Sequence, residues 1–114
     1  NGENSGKKSG ENSGEELNYK VDQAAMRYSK EADDAEAKYK NSKSETDKYF
    51  CIEKQLAAAN YLMFEADMNP KDKYKPALTR YRRVLELDPN NQEAMVNKSQ
   101  IEDIYKSMGK PIPN

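Results

Sequence analysis

The side chains that usually carry enzyme chemistry are scarce in this sequence. It has no histidine, so the commonest general base and the commonest metal ligand are both missing. No Ser-His-Asp or Cys-His pair can form. The single cysteine, Cys51, allows neither an internal disulfide nor a thiolate metal cluster. It stands between Phe50 and Ile52, which reads as a small apolar core residue rather than an activated thiol. Neither of the glycine-rich phosphate-binding patterns, G-x-G-x-x-G and G-x-x-x-x-G-K-[ST], occurs. No catalytic residue, metal or cofactor is expected, and the chain reads as non-enzymatic.

What remains is charge. Glu31, Asp33, Asp34 and Glu36 form one acidic cluster. A catalytic carboxylate pair needs a pocket and separated pKa values, so on a polar helix this cluster is expected to be a solvated face or a contact for a basic partner. Lys71, Lys73, Lys75, Arg80, Arg82 and Arg83 crowd another segment with only Asp72 among them. One reading is a helix face paired with nearby acids such as Glu86. The other is an electropositive patch, including Arg80 and Arg83, for an acidic peptide, a carboxyl terminus or anionic lipid. The chain as a whole carries 19 basic against 20 acidic residues. Without a basic excess, a nucleic-acid partner is not expected.

These side chains must be positioned by helices. Of the 114 residues 35% are hydrophobic and 34% charged, with eight Tyr, no Trp and little Val or Ile. Lys, Glu and Ala, all good helix formers, are among the commonest residues, and Ala, Leu, Met and Tyr make up the apolar set, which predicts an all-α fold of one domain at most. No run approaches the roughly 18 apolar residues of a membrane span; the longest apolar-rich stretch, Leu56 to Met63, is far shorter.

Residues 1–16 contain two copies of G-E-N-S-G and nothing apolar. They read as a disordered tether: either a frayed terminus or a spacer below a lipid anchor upstream of Asn1, as in a bacterial lipoprotein. The chain begins with Asn, so a residue or leader is expected to precede it; an exported, periplasmic setting is favoured over a cytoplasmic one. From 17 to 41, Leu17, Val21, Ala24, Tyr28, Ala32, Ala35 and Tyr39 recur every three or four residues, one face of an amphipathic helix. Ser44 with Asp47 three residues on predicts a second helix from about Glu45, although one continuous helix is an open alternative. Its stripe is Tyr49, Ile52, Leu56, Ala59, Met63 and Ala66, widened by Phe50, Cys51, Leu62 and Phe64, and Asn69-Pro70 ends it. A third helix is expected from about Lys73 to Leu87, with Pro76 in its first turn and Tyr74, Ala77, Leu78, Tyr81, Val84 and Leu85 inward. Asp88-Pro89-Asn90-Asn91 is a turn, and a fourth helix carries Ala94, Met95, Ile101, Ile104, Tyr105 and Met108 before Gly109 closes it. Residues 111–114 are a tail.

The stretch ALTRYRRVLELDPNNQEA, from Ala77 to Ala94, resembles the second helix and inter-repeat turn of a tetratricopeptide repeat. The family's small residue, aromatic, small or aliphatic residue and proline correspond to Ala77, Tyr81, Val84 and Pro89. Tyr61, Phe64 and Glu65 stand where the family has Trp, Leu and Gly, and Ser99 where it has a small residue. The resemblance covers about one and a half repeats over residues 45–110. It implies antiparallel helical hairpins in a right-handed stack of about four helices. It also implies binding of a partner protein or peptide on the first helix of each pair, here around Tyr61 and Asn97. Some members clamp a partner's carboxylate with Lys, Arg and Asn; Asn60, Asn97 and Lys98 are the corresponding candidates. Such stacks usually need about three repeats. The N-terminal helix is therefore expected to replace a missing repeat, or the protein to form a homo-oligomer. A small structural, self-associating protein is the alternative to a binding module.

Overall fold

Good helix formers fill the chain from Gln23 onward, and the computed structural model, which describes residues 22–114, is helical with no strand among those residues. Four helices follow one another: α1 (Gln23–Ser42), α2 (Glu45–Asn60), α3 (Pro70–Leu87) and α4 (Gln92–Ser107). The tether expected over 1–16 lies outside the described residues, as do Leu17 and Val21 of the first stripe.

The helix ends follow local chemistry. α1 stops because Lys43 turns left-handed, at φ 58°, and donates its N–H to Tyr39 O at 2.7 Å. Ser44 then caps α2, its hydroxyl accepting from Asp47 N at 3.1 Å. The break thus falls where the Ser44 spacing puts it, and α1 and α2 are separate antiparallel helices. The last turn of α2 widens into a π-helical turn over Tyr61–Glu65, with Ala66 N donating to Tyr61 O at 2.8 Å. Leu62 and Met63, adjacent in sequence, are both buried there.

The start of α3 departs from expectation. Asn69-Pro70 ends one helix and also begins the next. Asn69 Oδ1 accepts from Lys71 N at 2.9 Å, and Pro70 takes the first helical position. Pro76 consequently lies inside α3 rather than in its first turn. At the other end Asn91 caps α4 by accepting from Ala94 N at 2.9 Å. Gly109, at φ 69°, closes α4. Gly109 N donates to Lys106 O and Lys110 N to Tyr105 O, both at 3.0 Å. This is the paired bonding that a glycine past a helix end permits.

The core is built from small side chains on α1 and larger ones on α2 and α3. Ala25, Ala32 and Ala35 let α1 approach closely. Cys51, Ile52, Ala58, Ala59, Leu62, Met63 and Ala66 are buried on α2, the π turn and its end. Ala77, Leu78, Tyr81, Val84 and Leu87 fill the space from α3, and Ala94 and Ile101 from α4. Several residues read as core are surface instead. Tyr49, Phe50, Phe64, Met95 and Met108 are exposed, because the buried face of α2 runs through Cys51, Gln55, Ala58 and Leu62 and that of α4 through Ala94, Asn97 and Ile101.

Candidate functional site

Two polar constellations tie the helices together, and between them they hold most of the residues singled out from the sequence. The first joins α1, α2 and α3. Glu36, on α1, accepts from Arg83 Nε at 2.9 Å and from Arg83 Nη2 at 2.6 Å. The same carboxylate accepts from Gln55 Nε2 at 3.1 Å and lies 3.5 Å from Cys51 Sγ. Gln55, buried on α2, accepts in turn from Arg80 Nη1 at 3.0 Å. Arg80 Nη2 reaches back to Asp33 at 3.2 Å and to Ser29 O. A two-pronged guanidinium–carboxylate contact such as Arg83–Glu36 is geometrically demanding, so it fixes the register of α1 against α3.

The electrostatics follow from that geometry. The Arg83 hydrogen bonds hold the Glu36 carboxyl below its usual range, outweighing its partial burial. The Glu36 contact likewise raises the Arg83 guanidinium. Burial, and then the Glu36 charge, push the Cys51 thiol up to about 11. Cys51 is fully buried and stays a neutral thiol at physiological pH.

The second constellation joins α2, α3 and α4. Tyr81, fully buried, donates its hydroxyl to Asn60 Oδ1. Asn97 Nδ2 donates to Tyr81 Oη at 3.1 Å and to Asn60 Oδ1 at 3.2 Å. Asn60 Nδ2 donates to Glu93 at 2.7 Å. Burial pushes the Tyr81 phenol up to about 12.

The six residues singled out for partner binding therefore do not form one site. Asn60 and Asn97 meet on the α2–α4 side, and their amides are engaged in holding helices. Tyr61 stacks on Tyr28 of α1, with ring centroids 4.9 Å apart. Lys98 pairs along its own helix with Glu102 at 2.8 Å. Arg80 and Arg83 lie together on the α1–α3 side. Arg83 pairs there with Glu86 as well, at 2.9 Å. The acidic cluster is paired rather than merely solvated: Glu31 meets Lys54 at 3.6 Å, Asp33 meets Arg80, Asp34 meets Lys30 at 2.9 Å and Glu36 meets Arg83.

Pairing does not exhaust the cations. Between α1 and α3 runs a groove of about 800 Å3, floored by Gln55. Lys40, Lys75, Arg80, Arg82 and Arg83 line it against Asp33, Glu36 and Glu86. Arg80 and Arg83 are neutralised by those acids. Lys40, Lys75 and Arg82 make no ion pair among the described residues. Arg82 instead donates from Nη2 to the backbone carbonyl of Pro113 at 2.8 Å, and Asn114 lies at the groove's edge. Sequence reasoning missed Lys40 and Gln55. Gln55 shares a helix face with Cys51, Ala58 and Leu62, and that spacing is the signal for its burial. Lys40 carried no signal, because only the fold brings it opposite the basic segment.

No group of three or more His, Cys, Asp or Glu among the described residues is arranged to hold a metal ion, and no described helix is long and apolar enough to cross a membrane. Comparison with family models, with curated proteins and with solved structures gives no match for this chain.

Proposed function

We propose that this protein is a non-enzymatic interaction module that binds a partner protein through its stacked helices. The observation that carries the reading is the α1–α3 groove, where three cations that make no ion pair among the described residues sit above a hydrogen-bonded floor. A tetratricopeptide-like stack is part of the proposal. Side chains link α1 to α3 through Arg80–Asp33 and Arg83–Glu36, and α2 to α4 through Asn60 and Glu93. That two-layer pattern is what repeated helical hairpins would produce. In this reading α1 supplies the cover that a further repeat would otherwise give.

The test is selection of peptides on the purified full chain from an unbiased displayed library, followed by fluorescence anisotropy. Enriched peptides binding at micromolar strength, and weakened by Lys75→Glu, support an interaction module. A library that yields no saturable binder refutes it.

A second reading rests on a separate observation. Tyr49 and Phe50 are exposed, at 65% and 42%, beside Ile52 and Leu56 in a shallow apolar depression on α2. Exposed aromatic clusters of this kind serve association, so self-association through α2 is the alternative. Sedimentation across a wide concentration range, with Tyr49→Ser/Phe50→Ser as control, separates the two. A mass that rises with concentration in the parent chain alone favours this second reading.

A further inference from the structure

We infer that the α1–α3 groove accepts an extended acidic segment of a partner protein, and that residues 111–114 of this chain occupy one end of the groove and compete with it. This rests on the interaction-module reading and deepens it. The first support is charge. Of five cations lining the groove, Lys40, Lys75 and Arg82 pair with no carboxylate among the described residues, and Lys40 and Lys75 are solvent-exposed. The acids that line the groove, Asp33, Glu36 and Glu86, make their ion pairs with Arg80 and Arg83, at 3.2, 2.6 and 2.9 Å. Carboxylates from outside would meet these cations without displacing an existing pair.

The second support is the conformation of the occupant. Past Gly109 the chain leaves the helix and runs without regular structure from Lys110 to Asn114. Ile112 packs against the core, Arg82 takes the carbonyl of Pro113, and Asn114 reaches the groove's edge. A non-helical strand of backbone is thus already seated on one of the three free cations. It brings no acidic side chain, so Arg82, Lys75 and Lys40 are left without an ion pair among the described residues. An acidic strand would satisfy it and would take Arg82 from Pro113. A flat polyanionic surface such as a lipid bilayer fits less well, because the cations line the sides of a groove rather than project from a plane.

The experiment uses the full chain and a fluorescein-labelled peptide of alternating Glu and Pro, which proline keeps extended, against the same peptide with Gln for Glu. The acidic peptide is expected to bind at least tenfold more tightly. That preference should shrink as salt rises and should be lost in Lys40→Gln/Lys75→Gln, whose residues are exposed and outside the core. Ile112→Ser, which loosens the tail, is expected to tighten binding about threefold or more. Equal binding of the Glu and Gln peptides overturns the acidic occupant. Unchanged or weaker binding by Ile112→Ser overturns the competition. Displacement of the peptide by phosphatidylserine vesicles at equal charge overturns the choice of a protein segment. If neutral library peptides bind and the acidic one does not, the inference fails while the interaction module stands; if nothing binds, both fail.

Discussion

Replacing Glu36 with Ala is expected to destabilise the protein by about 2–3 kcal/mol. The carboxylate accepts two hydrogen bonds from Arg83, at 2.9 and 2.6 Å, and one from Gln55 at 3.1 Å. Hydrogen bonds to a charged group contribute roughly 1.5–3 kcal/mol net, and a buried amide left without its acceptor costs about 1 kcal/mol more. Gln55 is such an amide, being only 3% exposed. Part of the loss is recovered because the Arg83 side chain is 29% exposed and retains Glu86. For a domain of this size about 2–3 kcal/mol corresponds to a drop in Tm of roughly 10–20 °C. Glu36→Gln keeps the shape and one acceptor and should cost about half as much.

The same contact predicts a pH dependence of definite sign. Arg83 holds the folded-state pKa of Glu36 below its unfolded value. The stabilisation is therefore fully present above the unfolded carboxyl value, about 4.3, and is lost as pH falls through the folded value. The gap in stability between the parent chain and Glu36→Gln should be constant above about pH 5 and should close on acidification. Urea unfolding followed by far-UV circular dichroism at pH 7 and at pH 3 measures it. A cost for Glu36→Ala below about 0.5 kcal/mol at pH 7 would mark the contact as an ordinary exposed pair. A gap that widens in acid would refute the linkage argument.

Lys43→Gly should stabilise the chain by about 0.5–1 kcal/mol in thermal unfolding, since Lys43 holds φ 58° only against steric cost; a loss of stability would show that the left-handed cap is misassigned. Tyr81→Phe should cost about 1–2 kcal/mol, because it leaves Asn60 and Asn97 without the hydroxyl between them. In the parent chain, ultraviolet titration should show one of the eight tyrosines ionising near pH 12 or only on alkaline unfolding. Cys51 should resist a thiol reagent at pH 8 until the protein is unfolded by urea; prompt labelling of the folded chain would contradict its burial. Deleting residues 1–43 should leave a chain that unfolds or associates on light scattering and circular dichroism, and a folded monomer would show that α1 is dispensable.

Helix identity was legible because these helices are written in local signals. Ser44 and Gly109 mark helix ends by chemistry that depends on neighbours a few residues away, and each acts where the sequence puts it. The rotation of each helix was less legible. Tyr49 and Phe64 match a hydrophobic stripe as well as Cys51 and Ala58 do, and only packing against α1 and α3 decides which set is buried. Asn69-Pro70 shows another limit: the same dipeptide can end a helix or begin one, and the short connection after the π turn makes it do both. The polar contacts were the least legible. Glu36 and Arg83 are 47 residues apart and Asn60 and Asn97 are 37 apart, so their pairing is a product of the fold and leaves no periodicity.

That origin has a consequence for function. The α1 helix contributes little apolar bulk, with three alanines as its buried residues, yet it supplies both acids that neutralise Arg80 and Arg83. Without α1, the α3 face would present Arg80, Arg82 and Arg83 together with no internal counter-charge from that side, and Gln55 and Cys51 would lie bare. With α1 in place, two of those guanidiniums become structural, and the cations left over, Lys40, Lys75 and Arg82, are set around the groove that the pairing creates. The helix that completes the core thus also determines which cations are left without an ion pair among the described residues. A substitution at Glu36 or Asp33 should accordingly act on stability and on binding together, whereas one at Lys75 should act on binding alone. That division is what the proposed binding groove requires, and a merely charged surface would not show it.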